Sequence, residues 1–321
     1  MSVVVFAESW NGTFKKGTFE ILTYAHDVAK KMDTKCVAIT IGEISDDVKV
    51  LANYGADKVV SITNQFDACD NKGLSSALAE IADSEGANLV ILSNTNTGKT
   101  IGPRVAVKMD ASFISNTVDV PSESSPLLVK KKSFSGKAFE MAQSHADKTV
   151  IALSPNVYNI MQNNNDSCDF VTTDCQVENT NVSSINVEKA SGKISLAEAE
   201  IVISAGRGLK GPDNWGMIEE LADLLSAGTA CSKPVSDIGW RPHSEHVGQT
   251  GKAIAPNLYI AVGISGAIQH LAGVNSSKVM VAINTDPEAP FFKAADYGIV
   301  GDAFEVVPRL IEEIKQFKSS N

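Results

Sequence analysis

The sequence has 321 residues, of which 43% are hydrophobic and 21% are charged. This composition is ordinary for a globular protein, and the length predicts two domains. The formal net charge of −10 argues against a nucleic-acid partner, because nucleic-acid phosphates require a basic protein face.

The N-terminus carries no targeting or membrane signal. Met1 leads directly into the apolar run Val3–Phe6 and then Glu8, without a basic segment or an Arg-rich presequence. No stretch approaches the roughly 20 apolar residues that a membrane span needs. The five cysteines form no C-x-x-C pair, which favours unpaired thiols in a reducing compartment. We therefore expect a cytoplasmic protein without membrane insertion and without a metal site.

The first part of the chain alternates between strand-like and helix-like segments. The predicted strands are Val3–Phe6, Cys36–Ile41, Lys58–Ile62 and Asn88–Leu92, and the predicted helices are Thr18–Met32, Asp46–Asn53, Leu74–Ala82 and Gly98–Met109. Such alternation is typical of a parallel sheet that is covered by helices on both faces.

The pattern then changes to a hairpin and a polar stretch. The β-like runs Leu127–Phe134 and Lys137–Gln143 flank Ser135–Gly136, which is a hairpin signal, and Thr149–Leu153 adds a strand. Residues 156 to 193 lose periodicity and are rich in Asn, Ser, Thr and Asp, which predicts a linker. We therefore place the first domain, with hairpin and linker, at residues 1–193 and the second at residues 194–321.

The second domain starts a new α/β pattern. Its predicted strands are Glu200–Ser204, Leu258–Ile264 and Val279–Asn284, and its predicted helices are Trp215–Ala227 and Val306–Phe317. The predicted fold class is thus α/β, with an N-terminal parallel-sheet domain followed by a doubly wound, Rossmann-like domain.

The clearest motif is a glycine-rich turn, Gly206-Arg207-Gly208-Leu209-Lys210-Gly211, which lies between a predicted strand and a predicted helix. Glycines permit a tight turn and let backbone N–H groups approach a pyrophosphate. A structural turn is the alternative. No acidic residue ends a strand about 20 positions further on, where an NAD site binds its ribose.

Two further segments lie at the carboxyl ends of predicted strands of the same domain, and a polar loop lies between the strands. Gly263–His270 opens a helix, where Ser265 could hold an anion or simply cap the helix. Asn284 ends the next strand and could also start a turn. The loop Gln249–Lys252 could hydrogen-bond a heteroaromatic ring or be an ordinary polar turn. Because ligands of open α/β sheets bind at the carboxyl ends of strands, we predict a dinucleotide site there.

The sequence contains no credible pair of nucleophile and base, which favours an electron carrier over a dehydrogenase. From Gly206 to about Lys318 it resembles the alpha (large) subunit of electron transfer flavoprotein. The residues that carry the resemblance are Gly206–Gly208, Val247–Lys252, Gly263–His270, Ala282–Pro287 and Asp296–Val300. The N-terminal half is similar only in its α/β pattern and its Val-rich first strand beside Ala7 and Glu8.

The resemblance implies one FAD in the second domain and a heterodimer with a smaller beta subunit, which contacts the first domain and holds AMP or a second FAD. It implies electron transfer from flavin dehydrogenases, such as the acyl-CoA dehydrogenases of fatty acid β-oxidation, to a quinone oxidoreductase or similar acceptor. No substrate chemistry of its own is implied. The alternative is a soluble NAD-linked oxidoreductase that uses the same glycine-rich turn.

The resemblance also implies the residues that bind FAD. Arg207 would lie against the flavin or its phosphates, Thr250 near the flavin N5, and His270 near the C2 carbonyl. Asn284 and Asp302 would bind the adenosine side. The full implied set is Arg207, Gly208, Ser232, Lys233, Gln249, Thr250, Gly251, Ser265, Gly266, Ala267, Ile268, Gln269, His270, Asn284 and Asp302.

Lys233 departs from the family pattern, in which many members have Arg after the serine that corresponds to Ser232. A lysine is a compact charge that does not stack on a ring as a guanidinium does. The departure bears on the flavin potential.

Overall fold

The structure is a computed structural model, and it describes residues 1–67, 69–163, 165, 167–177, 182–187, 194–196 and 199–320. The chain divides into two compact units. The first comprises Met1–Ser133 and Ala138–Lys189, and the second comprises Phe134–Lys137 and Ala190–Asn321. The predicted boundary at residue 193 lies outside the described residues.

The first unit is built on a ten-stranded sheet. In chain order its elements are β1 (Ser2–Phe6), β2 (Ser9–Trp10), β3 (Thr13–Phe14), α1 (Lys16–Lys31), β4 (Lys35–Ile41), β5 (Lys58–Ile62), α2 (Asn71–Ser84), β6 (Ala87–Ser93), α3 (Asn96–Lys108), β7 (Ser112–Thr117), β8 (Glu123–Ser124), β9 (Leu127–Ser133), β10 (Ala138–Ser144), β11 (Thr149–Leu153) and β12 (Asp169–Thr173). The strand order is β10-β9-β7-β11-β6-β1-β4-β5-β12, with β8 beside β9, and β2 pairs with β3.

The central strands of this sheet are parallel and buried on both faces. All five residues of β1 are buried. Val3 and Val5 belong to the core that includes α1, whereas Val4 and Phe6 belong to the core that includes α2 and α3. Because successive side chains of a strand point to opposite faces, a strand between two helical layers is apolar throughout. The predicted parallel sheet with helices on both faces is confirmed.

Three strands of this sheet, β7, β8 and β12, were not predicted. β12 pairs in parallel with β5 and lies inside the segment that the sequence marks as a linker. It is an edge strand whose side chains are largely exposed, so its sequence carries no burial pattern. β7 pairs in parallel with β11, and the side chains of β7 are also only partly buried. Periodicity reports burial, and it therefore fails for strands that bury little.

The second unit is a five-stranded sheet with four α-helices in its described part. Its elements are β13 (Ile201–Ala205), α4 (Gly216–Leu225), β14 (Gly228–Cys231), α5 (Lys233–Asp237), β15 (Leu258–Val262), α6 (Ile268–Val274), β16 (Val279–Asn284), β17 (Tyr297–Val300) and α7 (Ala303–Ser320). All pairings in the order β14-β13-β15-β16-β17 are parallel. Helices α4 and α7 pack on one face, and α6 contributes to the core on the other.

The order of the strands places a crevice in this sheet. The chain passes from β13 to β14 on one side and then returns to β15 on the other side of β13. The loops that follow β13 and β15 therefore diverge to opposite faces, which is the geometry of a topological switch point. No helix in the described part of the chain is long and apolar enough to cross a membrane.

A buried carboxylate secures α1 in the first unit. Glu20 is only 3% exposed. Its two carboxylate oxygens accept hydrogen bonds from the backbone N–H groups of Asn156, Val157 and Tyr158, at 3.0, 2.7 and 2.9 Å. The side chain thus satisfies three backbone donors in the segment that follows β11, donors that would otherwise be left without partners.

We predict that Glu20→Gln lowers the free energy of unfolding by about 1–3 kcal/mol, because an amide replaces one acceptor oxygen with a donor that faces other donors. Urea unfolding followed by circular dichroism measures the change. The matched control is Glu43→Gln, an exposed glutamate of the same unit, which should stay within about 0.5 kcal/mol of the parent chain. Equal stability of both variants would contradict the anchoring role of Glu20.

Candidate functional site

The candidate site lies at the carboxyl edge of the second sheet. All five strands are parallel, so the segments after each of them begin at this edge. These segments contain the residues that the sequence predicts to bind a dinucleotide.

Three glycines bring the turns after β13 and β15 into backbone contact. The Gly206 N–H donates to the Val262 carbonyl at 2.9 Å, and the Gly208 N–H donates to the Gly263 carbonyl at 3.2 Å. A Cβ on Gly208 would lie 2.7 Å from the Gly263 Cα, and Gly263 itself has a φ of +60°. The N–H groups of Gly206 and Gly208 were expected to face a pyrophosphate. They serve instead to join the two turns.

Backbone N–H groups without partners lie in the loop that follows Gly263. No acceptor among the described residues takes the backbone N–H of Ser265, Gly266 or Ala267. The loop is held on both sides, because the Phe291 N–H donates to the Ser265 carbonyl at 3.0 Å and the Asn284 amide Nδ2 donates to the carbonyl of residue 264 at 3.0 Å. Adjacent unpaired N–H groups in a fixed loop are a binding site for an anion.

The predicted ring-binding loop packs directly on α6. The Gln249 N–H donates to the Gln269 carbonyl at 2.7 Å. Gly273 in α6 permits this approach, since a Cβ there would lie 2.5 Å from the Gly248 Cα. The side chains of Gln249 and Thr250 are exposed. Their amide and hydroxyl groups thus remain available next to the Ser265–Ala267 loop.

A cluster of ion pairs that the sequence did not predict lies just before this loop in the chain. The Arg241 guanidinium binds both oxygens of Glu245 at 2.7 Å, donates to Glu219 at 2.8 Å, and lies over the Trp215 ring. Burial lowers the pKa of Arg241, but the two carboxylates outweigh that effect and hold it above its ordinary value. A two-pronged pair of this kind restricts both side chains.

Ser232 and Lys233 follow β14. The Ser232 N–H donates to the Ala205 carbonyl at 3.2 Å, which keeps this buried serine beside the start of the glycine-rich turn. Lys233 is exposed, as are Arg207 and Lys252, and no ion pair is recorded for these three cations among the described residues. The edge therefore carries three exposed cations, although the whole chain is acidic.

Asp302 has a structural role here. Its Oδ1 accepts the Phe304 N–H at 3.0 Å at the start of α7, and its Oδ2 lies 3.5 Å from Lys210 Nζ. The Phe304 N–H, followed by Lys210, holds the pKa of Asp302 below its ordinary value. Among the described residues, the Asp302 side chain thus reaches the glycine-rich turn through Lys210.

His270 faces the interior of the unit. It is 7% exposed, and its Nε2 lies 2.8 Å from the hydroxyl of Tyr259. Its Nδ1 is buried without a hydrogen-bond partner among the described residues. Burial, assisted by His246, lowers the pKa of His270 to about 4, so the imidazole is neutral at pH 7. The sequence predicts Tyr259 only as part of the apolar strand Leu258–Ile264. Its phenol hydroxyl is the one polar side-chain group in that strand.

His243 and His246 have different surroundings. The His243 Nδ1 lies 2.7 Å from the Ser236 hydroxyl. His246 is buried beneath Gly251, whose Cβ, if present, would lie 2.8 Å from the imidazole Cγ. Among the residues described, no three or more His, Cys, Asp or Glu side chains are grouped so that they could hold a metal ion.

The residues present at this edge fit a dinucleotide. Free N–H groups and exposed cations suit a pyrophosphate, and the amide and hydroxyl of Gln249 and Thr250 suit the edge of a heteroaromatic ring. The strand that follows the glycine-rich turn, β14, ends at Cys231 and is followed by Ser232. No carboxylate therefore stands where an NAD site binds its ribose.

Comparison with known proteins is consistent with these features. The model of the family described as "Electron transfer flavoprotein domain" matches residues 3–174, and the one described as "Electron transfer flavoprotein FAD-binding domain" matches residues 195–275. The chain is 36% identical to electron transfer flavoprotein subunit alpha of Bacillus subtilis (strain 168), over 98% of this chain and 97% of that protein.

Two further relatives match along almost their whole length. The electron transfer flavoprotein subunit alpha of Thermoanaerobacterium thermosaccharolyticum is 34% identical, over 98% of each chain. The acryloyl-CoA reductase electron transfer subunit beta of Anaerotignum propionicum is 32% identical, over 98% of this chain and 96% of that protein. The FAD-binding match covers the loops around Gly206, Gln249 and Ser265. The chain therefore belongs to the electron transfer flavoprotein family, as an alpha subunit whose second domain is of the FAD-binding type.

Proposed function

We propose that this chain holds one FAD at the carboxyl edge of its second sheet and carries electrons as a heterodimer with a beta subunit. The observation that carries the proposal is the convergence of the loops around Gly206, Gln249 and Ser265 at one switch point. The chain performs no substrate chemistry of its own. FAD supplies the redox chemistry when it is bound, and the protein supplies binding, orientation and electrostatics.

Each group at the edge has a task in this proposal. The N–H groups of Ser265, Gly266 and Ala267 bind the pyrophosphate together with Arg207, because anions are favoured where unpaired donors and cations meet. Ile268 and Gln269, at the start of α6, extend this pyrophosphate-binding segment. Asn284 and Asp302 lie on the adenosine side.

Gln249, Thr250 and Gly251 form the ring side of the site. When FAD is bound, the Thr250 hydroxyl would donate to the flavin N5, and His270 would donate to the C2 carbonyl. A donor or cation at the C2 carbonyl would stabilise the electron-rich reduced ring and raise its potential. Lys233 adds an exposed charge beside Ser232 but, unlike Arg, does not stack on the ring.

The alternative function, a soluble NAD-linked oxidoreductase, lacks support. It requires an acidic residue at the end of β14, and Cys231 and Ser232 occupy that position.

The electron donors in this proposal are flavin dehydrogenases, such as acyl-CoA dehydrogenases, and the acceptor is a quinone oxidoreductase or similar protein. The similarity to an electron transfer subunit of acryloyl-CoA reductase supports a partner that acts on CoA esters. The beta subunit holds AMP or a second FAD, and the heterodimer works in the cytoplasm.

The test is to co-express the chain with its beta subunit and to count the bound flavin. We expect a yellow complex with FAD in the alpha subunit, reduced by an acyl-CoA dehydrogenase with its substrate and reoxidised by a quinone oxidoreductase. A colourless complex that takes up no added FAD would refute the proposal. Turnover of an alcohol or aldehyde with NAD by this chain alone would support the alternative.

We predict that Gly208→Ala lowers the affinity for FAD about 10- to 100-fold, because its Cβ would push the turns after β13 and β15 apart at a cost of roughly 1–3 kcal/mol. Fluorescence titration of the flavin-free complex with FAD measures the affinity. Gly216→Ala is the matched control, since nothing lies within 4 Å of a Cβ at that helical position. Equal affinities of the two variants would refute the role of the close contact.

We predict that Thr250→Ala leaves FAD bound and shifts its reduction potential by about 20 mV for two electrons. One hydrogen bond to the ring is worth roughly 1 kcal/mol, and its loss affects the two redox forms unequally, because N5 accepts a hydrogen bond when the ring is oxidised and carries a proton when it is fully reduced. Redox titration against a dye of known potential measures the shift. Thr250→Ser keeps the hydroxyl and should keep the potential. An unchanged potential in the alanine variant would contradict the placement of Thr250 at N5.

A further inference from the structure

A buried tyrosine–histidine pair lies behind the loop that begins α6. Tyr259 on β15 is fully buried, and its hydroxyl lies 2.8 Å from Nε2 of His270. The Tyr259 ring stacks on Phe291 with an interplanar angle of 9° and a centroid distance of 6.2 Å. Packing therefore determines where the hydroxyl points, independently of the hydrogen bond that it makes.

The chemistry of the two side chains determines the direction of that bond. Burial raises the pKa of Tyr259 and lowers that of His270, so both are neutral at pH 7. A neutral imidazole has one N–H donor and one acceptor nitrogen. A phenol is the stronger donor and an imidazole nitrogen the stronger acceptor, so the Tyr259 hydroxyl donates to Nε2. The tautomer of a histidine is set by the bond that its other nitrogen makes.

We propose that Tyr259 is a positioning residue of the flavin site, whose hydroxyl occupies Nε2 of His270 and thereby keeps the imidazole proton on Nδ1. Nδ1 is buried and makes no hydrogen bond to a described side chain, and the Val247 backbone, which acts against burial on the pKa of His270, favours a proton on the imidazole. A bound group that reaches Nδ1 would therefore meet a donor and not an acceptor. A carbonyl oxygen of the flavin ring requires a donor. The inference rests on the proposed function, because it takes His270 to lie at the ring of bound FAD.

Removal of the hydroxyl alone would change the character of His270. In Tyr259→Phe the aromatic ring and its stacking on Phe291 remain, but Nε2 loses its donor. The proton is then free to move to Nε2, and Nδ1 becomes an acceptor in part of the molecules. An acceptor that faces a carbonyl oxygen is repulsive, so the reduced ring is held less well.

The first experiment measures the tautomer in the flavin-free full-length chain. Histidine labelled with ¹⁵N gives separate signals for protonated and unprotonated ring nitrogens, and His270→Asn assigns the signals of His270. We expect the proton on Nδ1 in the parent chain and a mixture of tautomers in Tyr259→Phe. A parent chain with the proton on Nε2, or a variant with an unchanged tautomer, would overturn the proposal.

The second experiment measures the reduction potential of the flavin in the complex with the beta subunit. Tyr259→Phe should retain FAD at the parent level and show a lower potential. The matched control is Tyr297→Phe, which removes a hydroxyl from a tyrosine that is 67% exposed, and its potential should equal that of the parent. Equal potentials in Tyr259→Phe and the parent would overturn the proposal.

A packing variant separates the hydrogen bond from the stability of the core. Phe291→Leu disturbs the same aromatic cluster but removes no hydroxyl, so it should lower the melting temperature and leave His270 protonated on Nδ1. A tautomer shift in Phe291→Leu equal to that in Tyr259→Phe would refute a role of the hydroxyl. If no variant and no parent complex binds flavin, the proposed function fails, while the ¹⁵N measurement still decides what Tyr259 does to His270.

Discussion

The candidate site depends on one contact, the close approach of two backbone turns at the switch point of the second sheet. Gly206 and Gly208 meet Gly263 at distances that leave no room for a Cβ on either side. This contact uses N–H groups that a pyrophosphate could otherwise bind, and it brings the loop after β15 next to the glycine-rich turn. The N–H groups that remain without an acceptor among the described residues consequently include those of Ser265 and its neighbours.

The site around that contact has an exposed layer and a buried layer. The exposed layer consists of cations and polar side chains such as Arg207 and Thr250. The buried layer contains neutral polar groups, and the pair Tyr259 and His270 is its best-defined part. Exposed charges are screened by water and act weakly, whereas buried hydrogen bonds determine orientation and tautomer. Binding and tuning of a cofactor are therefore assigned to different layers.

Much of the fold could be predicted because most strands of both sheets are buried. In β1, β4 and β11 nearly every residue is buried and most are apolar, and the helices between them are amphipathic, so periodicity reveals them. β12 and β17 escaped prediction because edge strands with exposed side chains carry no such pattern. Their place is determined by backbone pairing with β5 and β16, which side-chain hydropathy does not record.

The sequence by itself determined the α/β class, the carboxyl-edge location of the site and the family, because hydrophobic periodicity and ordered glycine motifs are local properties of the chain. Only the tertiary structure decided which groups are free to bind. In the fold, the Gly208 N–H donates to the Gly263 carbonyl and the Asp302 carboxylate accepts an N–H at the start of α7. The Tyr259 hydroxyl lies within hydrogen-bonding distance of His270. The Gly208 contact joins residues far apart in the chain, and in all three cases the hydrogen-bonding capacity that is used within the protein is no longer available to a ligand.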